Sequence, residues 1–454
     1  MKILLANGNI VTGDGKTVIN RASVVIEDWY ISQVTNVPYQ YGNDIGAVID
    51  AEDGYIIPGV INHHVHGVAF GPSSPSGGIP KPYERVIRNL NKLMLEGTTT
   101  VLSSCGFATM EEVEAANKLH PINIKTGTTH TPLNLRTAEL ADGKGLQERH
   151  KKLTVEEQLR LGAVAIAEVG GGDVLGGGAT DYMVIPNAVK KKTGILLTNK
   201  QARSLKEAIL GRHISPKAFD SVRTGQVLKE IGLDKHLSID ECRKLVTDAV
   251  VPSYEMGIRA FEEAAELAEK FDVPMEVHNA VASMDAVYKV AQRLGNRLIA
   301  GHSNHASFKL NECLEQARRI KKCGSIVDIS TLDPFGAKQI AASPEYLEMT
   351  FAMMKEGLVD IISTDYAGGL WDSELLLLDA AVREGAVDLP TAIAMATGNV
   401  TKVFPKLAPN RGLIEPGRVA DVVVVNRDNI GKVKTVIIAG TVTVEDGKIK
   451  TPVR

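Results

Sequence analysis

The stretch GVINHHVHG, residues 59–67, sets His63, His64 and His66 within four positions of a chain that holds 11 histidines in all. At the end of a strand, residues two apart share a face, so His64 and His66 point one way and His63 the other. Two imidazoles at that spacing can hold one metal ion. Other short apolar runs end in residues of the same kind. GAVAIAEVGGG places Glu168 before a run of glycines, VPMEVHNA reaches His278, RLIAGHSNH reaches His302 and VDIISTDYAGG reaches Asp365. One acid after an apolar strand often only caps a helix, and one histidine is usually a packed or surface residue. Four histidines and two carboxylates, each closing a run of strand character, are a donor set for metal. Imidazole and carboxylate suit zinc; iron, manganese and nickel are compatible by ligand type.

Such donors need a scaffold that gathers strand ends. Between residues 56 and 407, short apolar runs alternate with helical patterns, and eight of the runs read as strands: YIIPGVINHHVH, TTTVLSSCG, PINIKTGTT, GAVAIAEVGGG, FDVPMEVHNA, NRLIAGHSNH, GSIVDIST and VDIISTDYAGG. Strands alternating with helices indicate a parallel sheet, and eight indicate an α/β fold of the (β/α)8 TIM barrel type, whose active sites lie at the C-terminal strand ends. The segment from about 170 to 252 exceeds one crossover and carries helical stretches such as NKQARSLKEAIL, so it reads as a helical insertion. Residues 1–55 and 408–454 read differently, as short strands broken at Asn-Gly and Asp-Gly turns. They are expected to pair into one small composite β domain around the barrel.

The bulk numbers exclude other classes. Hydrophobic residues make up 44% and charged residues 23% of 454 residues, with a net charge of −3, which suits an ordinary globular protein. No basic block stands out beyond Lys190–Lys192, so neither nucleic acid nor a membrane surface is expected as a partner. Four cysteines, Cys105, Cys242, Cys313 and Cys323, lack any close pairing, and no apolar run matches a signal peptide core or a bilayer span. The expected location is cytoplasmic.

With those residues in place, the sequence resembles the amidohydrolase superfamily over almost its whole length. PGVINHHVH, residues 58–66, is similar to the family's Pro-Gly, apolar pair, acid and H-x-H pattern. GLIEPGRVADVVVV is similar to its C-terminal pattern, and MATGNVTKVF, residues 395–404, to the helix that precedes it. The resemblance implies a flanking β-sandwich and a binuclear site. By it, His64 and His66 bind the more buried metal, His278 and His302 bind the second, and Asp365 binds the first and shuttles a proton. Glu168 stands where many relatives bridge the metals with a carboxylated lysine, and AEVGGG resembles the glutamate context of enamidase. Lys125, on the third strand, is the competing bridge. Asn62 departs from the family's aspartate before H-x-H, which puts fine tuning of the metals in question. His63 fills a variable position and is expected to be structural.

Two cations sharing one water would lower its pKa from 15.7 towards about 7, and Asp365 would accept its proton and pass it to a departing nitrogen. The leading expectation is hydrolysis of a C–N bond in a cyclic amide or related amide by a metal-bridging hydroxide. The alternatives are a deaminase of a nitrogen heterocycle, an isoaspartyl-type dipeptidase and, in another class, a non-catalytic scaffold, which would typically have lost ligands. His130, His305 and Tyr366 are the expected contacts for a small-molecule substrate, the loop GVAFGPSSPSGGIPKPYE is a candidate pocket wall, and a homo-oligomer, dimer or tetramer, is expected.

Overall fold

A computed structural model of the chain describes residues 2–36, 45–170, 174–175, 180–331, 344–365 and 371–450. Five strands come first: β1 (Lys2–Val11), β2 (Val18–Glu27), β3 (Tyr30–Thr35), β4 (Ile45–Asp50) and β5 (Tyr55–Pro58). Eight short strands follow: β6 (Val60–Val65), β7 (Thr98–Ser103), β8 (Asn123–Thr126), β9 (Ile166–Val169), β10 (Met275–His278), β11 (Leu298–Gly301), β12 (Ile326–Ser330) and β13 (Ile361–Ser363). The last four are β14 (Val422–Asn426), β15 (Asn429–Ile438), β16 (Thr441–Glu445) and β17 (Lys448–Ile449).

Strands from both ends of the chain share one nine-stranded sheet in the order β17-β16-β15-β14-β5-β1-β2-β3, with β4 paired to β1. The seam is β5, parallel to β1 on one side and antiparallel to β14 on the other, where Pro58 faces Val422 and Tyr55 faces Val425. The middle strands are all parallel. They form two sheets in chain order, β6-β7-β8 and β9 to β13, linked by a bridge between Thr128 and Ile166. Across the gap between β13 and β6, the Asp365 N–H donates to His64 O at 3.0 Å and Asn62 Nδ2 donates to Thr364 Oγ1 at 2.7 Å.

The composition of these strands follows from their surroundings. Every residue of β6, β7, β9, β10 and β11 is buried, as expected where helices cover a parallel sheet. A charged residue inside a strand buried on both faces stands out.

The long crossover between β9 and β10 carries helices Ile185–Thr193, Asn199–Leu210 and Ser221–Glu230. They close on an apolar core of their own that includes Ile185, Leu205, Ile209, Leu228 and Val246. The expected insertion ends at about residue 252. The structure instead shows one 33-residue helix, Ile239–Phe271, that runs through Pro252. It starts on a capping box between Ser238 and Glu241 and ends against the β-strand face through Ala260, Ala264 and Ala268. One helix thus belongs to both the insertion core and the main core. No described helix is long and apolar enough to cross a membrane.

Candidate metal centre

The six donor residues converge although they come from separate strands. His64 is on β6 and His66 lies just past its end; Glu168 and His278 are on β9 and β10, and His302 and Asp365 follow β11 and β13. All six are buried. Glu168 stands in the middle and divides its two oxygens. Oε2 lies 3.0 Å from His66 Nε2 and 3.5 Å from His64 Nε2. Oε1 lies 3.2 Å from His278 Nδ1 and 3.5 Å from His302 Nε2. Asp365 Oδ1 joins the first pair, 3.6 Å from both His64 Nε2 and His66 Nε2.

Local backbone explains how the donors reach inward. Val169 is followed by Gly170 at φ +85°, where a Cβ would collide with Leu175 and Phe261, so only glycine turns the chain this sharply after Glu168. His302 and Asp365 have φ values of +37° and +41°. Non-glycine residues hold that left-handed region only where surrounding contacts enforce it, a kind of strain that gathers at functional sites.

Electrostatically the centre is a set of mutually stabilised groups. Burial pushes Glu168 up, but His64, His278 and His302 hold it well below the usual carboxylate range. Asp365 behaves alike: burial raises its pKa, and contact with His66 together with the nearby His302 and His64 lowers it further than burial raises it. Burial would lower His64 and His66, yet Glu276 and Glu168 raise the first, and Asp365, Cys105 and Glu168 raise the second. Both carboxylates therefore present unprotonated oxygens.

Whether these residues suit metal can be tested on their spacing. An ion about 2.1 Å from each donor in a tetrahedron sets neighbouring donors about 3.4 Å apart. The spacings above run from 3.0 to 3.6 Å, and two donor groups, His64–His66–Glu168 and Glu168–His278–His302, each lie within 4.8 Å. Buried Nε2 of His64, Nε2 of His278 and both ring nitrogens of His302 have no hydrogen-bond partner among the described residues. Unpartnered buried nitrogens around two ionised carboxylates suggest a divalent metal centre.

The remaining sequence candidates are placed as follows. His305 is beside the centre, its ring 5.3 Å from His278 and 5.7 Å from His302. Burial, reinforced by His278 and His302, pushes its pKa well down, so the ring is neutral. Ser307 N donates to His305 Nδ1 at 3.1 Å, which leaves the ring proton on Nε2. His130 packs against Phe107 and Thr128 instead; burial, with His150 nearby, lowers its pKa to about 4. No contact joins it to the six donors among the described residues. Lys125 is half-buried on β8, opposite Leu102, and among the described residues has no ion pair with Glu168 or Asp365. Tyr366 lies outside the described residues. His63 faces away from the six, as alternation predicts.

Four participants went unnoticed in the sequence. Cys105 Sγ lies 3.7 Å from His66 Nδ1. Glu276 and Asp328 are buried acids in the middle of apolar strands, and the first is two residues before His278 on the same face; a charge inside a buried parallel strand was the available signal. Arg203, on the insertion helix Asn199–Leu210, is held by Asp181 at 2.8 Å, a pairing that only tertiary packing makes.

No family model matches the sequence, and neither does any curated protein. Solved structures do match in fold. A β-aspartyl dipeptidase from Fervidobacterium islandicum AW-1, in complex with a β-Asp-Leu dipeptide, superposes with a TM-score of 0.58 and 15% identity, covering 99% of this chain and 98% of that one. Enamidase, described as a member of the amidohydrolase superfamily, gives 0.55 and 16% over 100% and 98%, and a D-hydantoinase gives 0.54 and 16% over 99% and 96%. The chain resembles amidohydrolase-superfamily structures from end to end, and at these identities the likeness is one of fold.

Proposed function

We propose that this chain is a divalent-metal-dependent amidohydrolase that cleaves a C–N bond in a cyclic amide or related amide. The observation that carries the reading is Glu168, whose two oxygens face two separate histidine pairs. In this reading the eight parallel strands close into a (β/α)8 barrel over residues 56–407, flanked by the composite sheet of residues 1–55 and 408–454. His64, His66, Glu168 and Asp365 would hold one ion, and Glu168, His278 and His302 the other, with zinc as the first choice. When bound, such ions supply an acidified water and a Lewis acid for the substrate oxygen.

The chain's own residues supply the rest. Asp365 Oδ1 is turned to the imidazoles, leaving Oδ2 to take the proton of the attacking water and return it to the departing nitrogen. His305 offers Nε2–H as a neutral donor to the substrate. Burial of every donor excludes bulk water and strengthens these interactions.

One observation favours a second reading: a structure of similar fold is a β-aspartyl dipeptidase in complex with a β-Asp-Leu dipeptide. In this reading Arg203, on the insertion and held by Asp181, would be the cation set against the carboxylate of an isoaspartyl-type dipeptide. Purified protein should be assayed for metal by elemental analysis and screened on cyclic imides, hydantoins, enamides, β-aspartyl dipeptides and amino-heterocycles. About two equivalents of metal and turnover of a cyclic amide support the first reading. Turnover confined to β-aspartyl dipeptides and lost in Arg203→Met supports the second. One equivalent with ammonia release would replace both by a deaminase.

A further inference from the structure

His63, the histidine of the opening stretch without a place among the donors, is fully buried between two acids. Its Nε2 lies 3.0 Å from Asp328 Oδ1 and its Nδ1 3.6 Å from Glu276 Oε1. The same Glu276 oxygen is 3.0 Å from Nδ1 of His64, an ion-pair contact rather than a hydrogen bond, since neither atom has a hydrogen-bond partner among the described residues. At its other end, Asp328 Oδ2 accepts the backbone N–H of His302 at 2.7 Å and the Ser363 hydroxyl at 3.1 Å. The chain of contacts therefore starts at one metal-ligand candidate, His64, and ends at another, His302, the residue held at φ +37°.

The surroundings are built for this arrangement. Gly301 precedes His302, and a Cβ there would stand 3.4 Å from Glu276 Oε1, 3.5 Å from His64 Nδ1 and 3.1 Å from Val277 O. The Phe404 ring stacks on His63 at 5.3 Å and 23°, sealing the cluster from below. His63 thus stands between the two acids, with its two ring nitrogens turned one to each.

We propose that Glu276, His63 and Asp328 form a brace that positions two metal ligands. Glu276 sits against Nδ1 of His64 and so keeps its Nε2 toward Glu168, while Asp328 fixes the backbone from which His302 projects. His63 joins the two acids and keeps both in place. Partners behind metal-ligating histidines set the tautomer and ring orientation in this way, and their loss typically weakens metal binding about 10–100-fold. The inference rests on the metal reading above; these are positioning residues, since none reaches the substrate side.

The test is zinc affinity of stripped, full-length protein, read by competition with a chromophoric chelator, in wild type and Glu276→Gln. Wild type is expected to bind two zinc ions. The variant is expected to bind one of them about 10–100-fold more weakly, with the other near wild type. Equal weakening of both ions would mark a merely structural role and overturn the brace. If the variant does not fold, ¹⁵N-histidine spectra of zinc-loaded wild type decide: a slowly exchanging Nδ1–H on His64 is expected, and an Nε2–H there overturns the proposal. Two zinc ions in wild type with unchanged affinity in the variant overturn the brace alone. No zinc in wild type overturns the brace and the metal reading together.

Discussion

Two buried charged clusters meet at His64, one on each ring nitrogen. On the Nε2 side, four imidazoles surround Glu168 and Asp365, and several buried nitrogens have no hydrogen-bond partner among the described residues. On the Nδ1 side, Glu276, His63 and Asp328 alternate in sign and answer one another. The first cluster gathers imidazoles around carboxylates whose oxygens face two histidine pairs. The second sets one imidazole between two acids. The difference is one of arrangement, since atoms of both lack a hydrogen-bond partner among the described residues, in the second Nδ1 of His63 and both Glu276 oxygens.

That contrast can be attacked experimentally, beginning with the largest effect. Asp365→Asn removes the proton carrier and should lower kcat on an identified substrate by about 10²–10⁴-fold, with a melting curve close to wild type; near-normal turnover would defeat the assigned role. Stability should separate the clusters next. His63→Leu leaves two carboxylates facing each other without their cation and should cost about 3–5 kcal/mol in denaturant unfolding of stripped protein. Glu168→Ala leaves imidazoles that can simply lose their protons, so the same measurement should change by only about 1 kcal/mol while elemental analysis shows one metal equivalent gone. Equal costs for the two substitutions would erase the contrast. Zinc at 100 times its Kd should then stabilise stripped wild type by about 2.7 kcal/mol per site, read as a rise in melting temperature, and Glu168→Ala should show less of it.

The smallest effect concerns the insertion. Arg212 grips both oxygens of Glu312, at 2.8 and 2.6 Å, and donates to Ser307 O at 2.6 Å, beside the residue that orients His305. This pairing holds the Glu312 pKa down to about 2. A carboxylate depressed in the folded state stabilises above its unfolded pKa of about 4.3 and loses that contribution as pH falls towards 2. Wild type should therefore melt slightly above Arg212→Met at pH 7, and the gap should close between about pH 4.5 and pH 2. The pair is partly exposed and screened, so salt should shrink the gap too.

Much of the centre was legible because each donor ends an apolar run, and period-two alternation separates His64 and His66 from His63. The same alternation places Glu276 beside His278, but a reading confined to strand ends passes over it, and over Asp328 within GSIVDIST. The sequence leaves Glu168 and Lys125 both open as the bridge, because reach to both histidine pairs, which favours Glu168, is a three-dimensional matter. Arg203 had no local signal at all. The bound at about 252 falls inside one helix, because packing of its alanine-lined face on the main core carries Ile239–Phe271 past that point.

The seam strand β5 has a consequence for biogenesis. Its antiparallel partner β14 lies several hundred residues downstream, so at a synthesis rate of roughly 5–20 residues per second the edge of β5 waits on the order of tens of seconds for its neighbour. Until then Tyr55–Pro58 presents unpaired backbone to any other extended chain. The wait makes nascent chains of this protein candidates for chaperone protection, and it makes the last strands the step that completes folding rather than an appendage to it.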